Sequence, residues 1–110
     1  MFKTSTALET LPAVAFKSLR DFGGELVLGR LRRKESLKDW AARMNVTIPT
    51  LMRMEKGEPS MAIGVYATSL WMLGRSRALG ELAHPQGDLG DLEQEILQAR
   101  KRYARKPKGS

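Results

Sequence analysis

Cysteine is absent from this 110-residue chain, so neither a disulfide nor a thiolate-held zinc site can form. The one histidine, His84, cannot make a histidine cluster for a metal. It also leaves little material for a Ser–His or Cys–His nucleophile pair. We therefore expect no enzyme activity, no metal and no other cofactor. No apolar run approaches the roughly 20 residues that span a bilayer. The opening residues, MFKTSTALETLP, lack the apolar stretch of a secretory signal. No internal repeat is present. The expected location is the cytoplasm, with no membrane partner and no small-molecule substrate.

What is present is a 42% hydrophobic composition, enough for a globular core of one modest domain. Nineteen Lys and Arg against twelve Asp and Glu give a net charge of +7. Such a surplus favours a polyanionic partner: DNA, RNA or an anionic surface.

The chain is organised around residues 36–57, SLKDWAARMNVTIPTLMRMEKG. Ser36 with Asp39 three residues on reads as a capping box. Leu37, Trp40, Ala41 and Met44 then recur as one apolar helical stripe. Asn45 suits a left-handed turn position, and Val46 a buried plug between two helices. Thr47 caps the second helix, with Pro49 in its first turn, where a missing N–H costs nothing. Leu51 and Met54 face inward, Lys56 lies at the negative helix end, and Gly57 ends the helix. Two short helices around a tight turn follow the helix-turn-helix plan. The outward face of the second carries Thr47, Ile48, Pro49, Thr50, Met52, Arg53 and Lys56. Small polar groups, apolar contacts and two cations suit a DNA major groove. An ordinary helical hairpin in a small bundle has the same spacing, and charge and periodicity alone leave both readings open.

Around this motif, residues 1–11 read as a flexible N-terminus. Pro12 opens a helical pattern that runs to Lys34 through Val14, Leu19, Phe22, Leu26, Leu28 (or Val27) and Leu31. Gly23-Gly24 interrupts it: the segment is one kinked helix, or two, or a place where helices pack closely. The cations Arg30, Arg32, Arg33 and Lys34 cluster at its end. Ser60 is a candidate cap for MAIGVYATSLWMLG, apolar nearly all round and so expected to be buried. Ile63, Tyr66, Ala67, Leu70, Trp71 and Leu73 are its expected core or interface residues, with Trp40 and Trp71 as core anchors. Ser76 begins a short helix through about Ala83, with Leu79 and Leu82 inward, and His84-Pro85-Gln86-Gly87 breaks it. The domain is thus read as residues 12–85. Residues 86–106 form a C-terminal helix with a stripe of Leu89, Leu92, Ile96, Ala99 and Tyr103. Its acids come early and its bases late, as the helix dipole favours. Residues 107–110 are a disordered tail. Of Met44, Met52, Met54, Met61 and Met72, only Met52 is expected to point outward.

Residues 30–73 resemble the lambda-repressor-like, five-helix DNA-binding domain of XRE/Cro/CI-type regulators. The resemblance rests on LGRLRRKESLKDWAARMNVTIPTLMRMEKG, above all Ala41, the Val46-Thr47 turn, Leu51 and the ending Met54-Glu55-Lys56-Gly57. The continuation GEPSMAIGVYATSLWMLGRSRALGELAHP is similar to HipB-like antitoxins, which accompany HipA-like Ser/Thr kinase toxins. Together these stretches cover residues 11–85. The resemblance implies an all-α, lambda-repressor-like five-helix domain with an additional C-terminal helix. It implies a homodimer on a palindromic operator in double-stranded DNA, repression of its own operon, and restraint of a HipA-like kinase toxin. It also implies a structural ion pair between Arg30 and Glu55 that orients the recognition helix.

The sequence departs from that pattern at three places. Leu37 stands where a glutamine often contacts the DNA backbone. Glu35 replaces the usual leucine before the cap and puts an acid at the expected DNA edge. Ile48-Pro49 replaces commoner polar residues at the start of the recognition helix. These changes shift the expected readout towards thymine methyls and DNA shape.

Arg53 is the candidate base reader, through guanine O6 and N7, or a phosphate clamp. Thr47 and Thr50 are placed against backbone or bases. Lys38, Lys56, Arg33 and Lys34, with Ser36, are the expected phosphate-side residues. Tyr66, Trp71, Leu79 and Leu82 are the expected dimer interface, with the last helix a further candidate. A stand-alone XRE-type regulator without a toxin, and a helical adaptor that does not bind DNA, are the alternatives.

Overall fold

A computed structural model describes residues 5–84 and 89–105, and every element among them is helical. The helices are α1 (Thr6–Glu9), α2 (Ala13–Arg32), α3 (Leu37–Met44), α4 (Ile48–Glu55), α5 (Ile63–Met72), α6 (Ser76–Gly80) and α7 (Leu89–Arg105). The chain divides into two compact units, Met1–Leu79 and Gly80–Ser110. Residues 1–4, 85–88 and 106–110 lie outside the described residues, and with them the expected break at Pro85 and the tail at 107–110.

In the first unit, the stretch read as a flexible N-terminus includes the short helix α1. Ser5 caps this helix by accepting a hydrogen bond from the Leu8 N–H at 3.2 Å. Such a cap satisfies one of the orphan donors of a helix start. Helix α2 then runs through Gly23-Gly24 without a break. The two glycines differ in their surroundings. Gly23 is buried, and a Cβ built on it would stand 2.6 Å from the Glu55 carbonyl oxygen and 2.7 Å from the Gly57 nitrogen. Gly24 is exposed, and a Cβ there meets nothing within 4 Å. Gly23 is therefore what lets α2 cross the end of α4 in backbone contact.

The core comes from four helices. Leu26 of α2, Trp40, Ala41 and Met44 of α3, Leu51 and Met54 of α4, and Tyr66 and Leu70 of α5 are all buried. Phe22, Leu37, Val46, Met61, Val65, Met72, Leu73 and Leu79 pack around them, half-buried. The Phe22 and Tyr66 rings meet at a centroid distance of 5.5 Å. That lies within the favourable range for aromatic pairs. Of the methionines, Met52 is the exposed one among the described residues, at 41%.

Helix α5 differs from its sequence reading twice. It starts at Ile63 with Ala62 as its cap residue, not at Met61 under Ser60. The intervening residues form a turn, in which the Met61 N–H donates to the Glu58 carbonyl at 3.2 Å while Met61 packs on the core. Nor is the helix buried all round. Ile63 is 66% exposed and Trp71 is 67% exposed, so Trp71 is not a core anchor. Tyr66, Ser69 and Leu70 form the face packed inward, whereas Ile63, Ala67 and Trp71 recur at four-residue steps along another face.

Helix α6 stops at Gly80, short of the expected Ala83. Leu79 packs on the core, but Leu82 lies beyond the last helical turn and is 74% exposed, so it is not an inward residue. In the second unit, α7 keeps the expected polarity: Glu93 and Glu95 lie early, and Arg100, Lys101 and Arg102 late. That order complements the helix dipole. Tyr103, expected on the apolar stripe, is 81% exposed.

Candidate nucleic-acid interface

The α3–turn–α4 segment is built by its caps. The Ser36 hydroxyl accepts from the Asp39 N–H at 3.0 Å and starts α3. Asn45 ends α3 in the left-handed region at φ 60°, ψ 42°. Asparagine enters this region more readily than most residues. The Thr47 hydroxyl accepts from the Thr50 N–H at 3.2 Å and donates to Thr50 Oγ1 at 2.9 Å. Pro49 sits in the first turn of α4. Gly57 ends that helix at φ 73°, and a Cβ on it would overlap the Leu19 carbonyl oxygen. Any side chain at Gly57 would thus meet both the backbone of α2 and an unfavourable φ.

Helix α4 divides sharply into two faces. Leu51 and Met54 are fully buried at 0% exposure. Thr47, Ile48, Pro49, Met52, Arg53 and Lys56 are exposed, and Thr50 is half-buried beneath the Thr47 hydroxyl. Ile48 and Met52 put apolar surface beside the two cations. Arg53 Nη2 donates to the Ser60 hydroxyl at 3.3 Å, which steadies the guanidinium at the α4 surface.

A bidentate ion pair fixes this helix. Arg30 Nε donates to Glu55 Oε2 at 2.7 Å, and Nη2 to Oε1 at 3.1 Å. Both side chains are only 9% exposed. Arg30 Nη1 also donates to the Glu35 carbonyl at 2.9 Å. One guanidinium therefore ties α2 to the last residue of α4 and to the loop ahead of α3. A planar fork is suited to this; a lysine ammonium cannot reproduce it.

Glu35, just ahead of the α3 cap, has an ion-pair partner that its sequence position did not suggest. Its carboxylate accepts from Arg43 Nη1 at 2.6 Å. The Arg43 guanidinium in turn lies 5.2 Å from the centre of the Trp40 ring. The acid at the expected DNA edge is thus neutralised within the unit. Arg43 escaped the sequence reading because it lies eight residues from Glu35, across a loop and a helix, where no helical spacing rule applies.

The remaining phosphate-side residues are spread along the unit. Lys38 is exposed on the first turn of α3, and Lys34 is exposed with φ 56° just beyond α2. The Ser36 hydroxyl is committed to its cap. Arg33 turns towards the end of α5, donating to the Gly29 carbonyl at 2.9 Å and the Leu73 carbonyl at 3.4 Å. Of the expected dimer residues, Tyr66 is corrected. It is 3% exposed, and its hydroxyl donates to the Glu58 carbonyl at 2.8 Å, so it belongs to the core. Burial, and secondarily the Glu58 charge, raise its pKa above the usual tyrosine value. Leu79 is half-buried against the core, whereas Trp71 and Leu82 are exposed.

No group of His, Asp or Glu among the described residues could hold a metal ion. No described helix is long and apolar enough to cross a membrane. Comparison of the chain with protein-family models, curated proteins and solved structures gives no match.

Proposed function

We propose that the chain is a sequence-specific DNA-binding repressor in which α3 and α4 form a helix-turn-helix and α4 enters the major groove. One observation carries this reading: the exposed Thr47–Lys56 face of α4, with Arg53 at its surface, is held rigid from behind by the buried Arg30–Glu55 pair. A recognition helix needs its backbone fixed before its side chains can discriminate bases, because base readout depends on placed bidentate contacts. The net charge of +7 supplies the phosphate attraction common to all DNA sequences. Neutralisation of Glu35 by Arg43 removes the repulsion that an acid at this edge would bring. On this reading α2–α6 take the lambda-repressor-like arrangement. Lys38, Lys56 and Lys34 contact phosphates, while Ile48 and Met52 contact thymine methyls.

The same reading makes the protein a homodimer on a palindromic operator, its recognition helices about 34 Å apart. Trp71, with Ile63 two turns away on the same outer face of α5, is the surface best placed for that contact, since large exposed apolar groups favour burial. The similarity to HipB-like antitoxins extends the proposal to a cytoplasmic partner, a HipA-like kinase toxin, with joint repression of their operon. Selection of duplexes from a random pool, followed by footprinting, tests the DNA claim. It predicts a palindromic site and a binding constant that falls steeply with salt. No enriched sequence, or binding indifferent to salt, refutes it. Co-expression with the adjacent gene tests the toxin claim separately. A kinase that co-purifies and tightens operator binding supports it, and free repressor as the sole DNA-binding species refutes it.

A further inference from the structure

A groove of about 530 Å³ opens on the first unit between α2, the end of α5 and the start of α6. It uses none of the α4 surface. Its walls are apolar: Phe22, Leu26 and Leu28 on one side, Leu70, Leu73 and Ala78 on the other. Leu28 is 51% exposed, so part of this wall has no partner in the fold. Its charges are segregated. Glu25 lies near the Phe22 end, whereas Arg32, Arg33 and Arg75 lie together at the other. Arg33 is oriented there by its bonds to the Gly29 and Leu73 carbonyls. No ion pair or side-chain hydrogen bond engages Arg32, Arg75 or Glu25 among the described residues.

Gly29 shapes the arginine end. A Cβ on it would stand 2.7 Å from Leu73 Cδ1, so the missing side chain lets Leu73 lie against α2 and form the floor. The stretch of α2 from Phe22 to Arg33 rises about 16 Å, long enough to accommodate an extended medium-chain acyl group together with its head group. Its volume falls in the range of about 300–1,000 Å³ usual for small-ligand sites. The unpaired guanidiniums of Arg32 and Arg75 at one end of an apolar trough match a carboxylate or phosphate carried on an apolar tail, since their planar forks bind such groups bidentately, and Arg33 adds its charge beside them. Glu25 repels the same head group from the far end and so sets its direction.

We propose that this groove binds an amphipathic anion of the fatty-acid class, its tail on Leu28, Leu70 and Leu73 and its head group between Arg32, Arg33 and Arg75. The inference stands apart from the DNA-binding reading, and its test contains no DNA. Sodium decanoate is titrated into the full chain by calorimetry below its micellar concentration, with 1-decanol as the neutral probe. Saturable binding of decanoate, about tenfold tighter than decanol, is expected from the charge-assisted head-group contacts. The double variant Arg32→Gln/Arg75→Gln should lose that preference while its circular dichroism stays unchanged, because neither side chain holds the fold. Leu28→Gln should weaken both probes. Absence of saturable decanoate binding overturns the proposal. So does equal affinity for decanoate and decanol, or a double variant that binds decanoate as the native chain does.

Discussion

Replacing Gly23 and Gly24 by alanine, one at a time, should move stability in opposite directions. In an exposed helix interior, Gly→Ala gains about 1 kcal/mol from propensity alone. Gly24 has open space around it, so Gly24→Ala should realise that gain. At Gly23 the new methyl would stand 2.6 Å from the Glu55 carbonyl oxygen and 3.0 Å from its carbon. These are backbone atoms of α4, not the ends of flexible side chains, so α2 and α4 must separate. Overpacking of this kind costs about 1–3 kcal/mol, and rigid backbone favours the upper part of that range. Set against the propensity gain, Gly23→Ala should destabilise by about 1–2 kcal/mol. In a domain of this size, 1 kcal/mol moves Tm by about 4–8 °C. Urea and thermal unfolding of the two variants beside the native chain read the difference directly. Equal stability of the variants would refute the close crossing of α2 over α4.

Other substitutions probe the same frame. Arg30→Ala leaves the Glu55 carboxylate buried and unpaired and should cost about 3–5 kcal/mol in urea unfolding; an unchanged midpoint contradicts the structural role of the pair. The Ser69 hydroxyl is buried without a hydrogen-bond partner. Ser69→Ala should therefore be neutral or stabilising by up to about 1 kcal/mol, and a loss of stability in unfolding curves would contradict this. Because the folded-state pKa of Tyr66 is raised, the unfolded chain loses that proton first as pH climbs. Its contribution to stability is complete below the ordinary tyrosine pKa of about 10 and falls as pH rises through the folded value. Tyr66→Phe should flatten the alkaline arm of the stability profile measured by urea unfolding. An arm as steep as the native one would refute that assignment.

Much of the first unit is legible because its signals are local. The Ser36 and Thr47 caps, the Asn45 turn and the Gly57 stop each depend on a residue's own conformational chemistry. The inward positions of Trp40, Met44, Leu51 and Met54 follow from helical period. Tertiary context decides the rest. Gly23 and Gly24 are identical in sequence, and only the crossing of α4 separates them. Trp71 lies in an apolar run whose composition suggests full burial, yet the inward face of α5 is narrow and leaves Trp71 outside. Tyr66 sits in the same run and is drawn inward, where Phe22 and the Glu58 carbonyl receive it. At the candidate site, the Arg30–Glu55 pair came from the family resemblance, since no spacing rule joins residues 25 positions apart. The Arg43 link to Glu35 and Trp40 had no comparable signal.

The central claim is that α4 reads DNA through its exposed face. Its most direct test is the affinity of Arg53→Ala for a duplex selected by the native protein, measured by fluorescence anisotropy at fixed salt. The side chain is exposed and holds only Ser60, so the fold should persist. The account predicts a loss of about 1–3 kcal/mol in binding, together with relaxed preference at one base position in each half-site. Native affinity and unaltered sequence preference in a folded Arg53→Ala protein would contradict it.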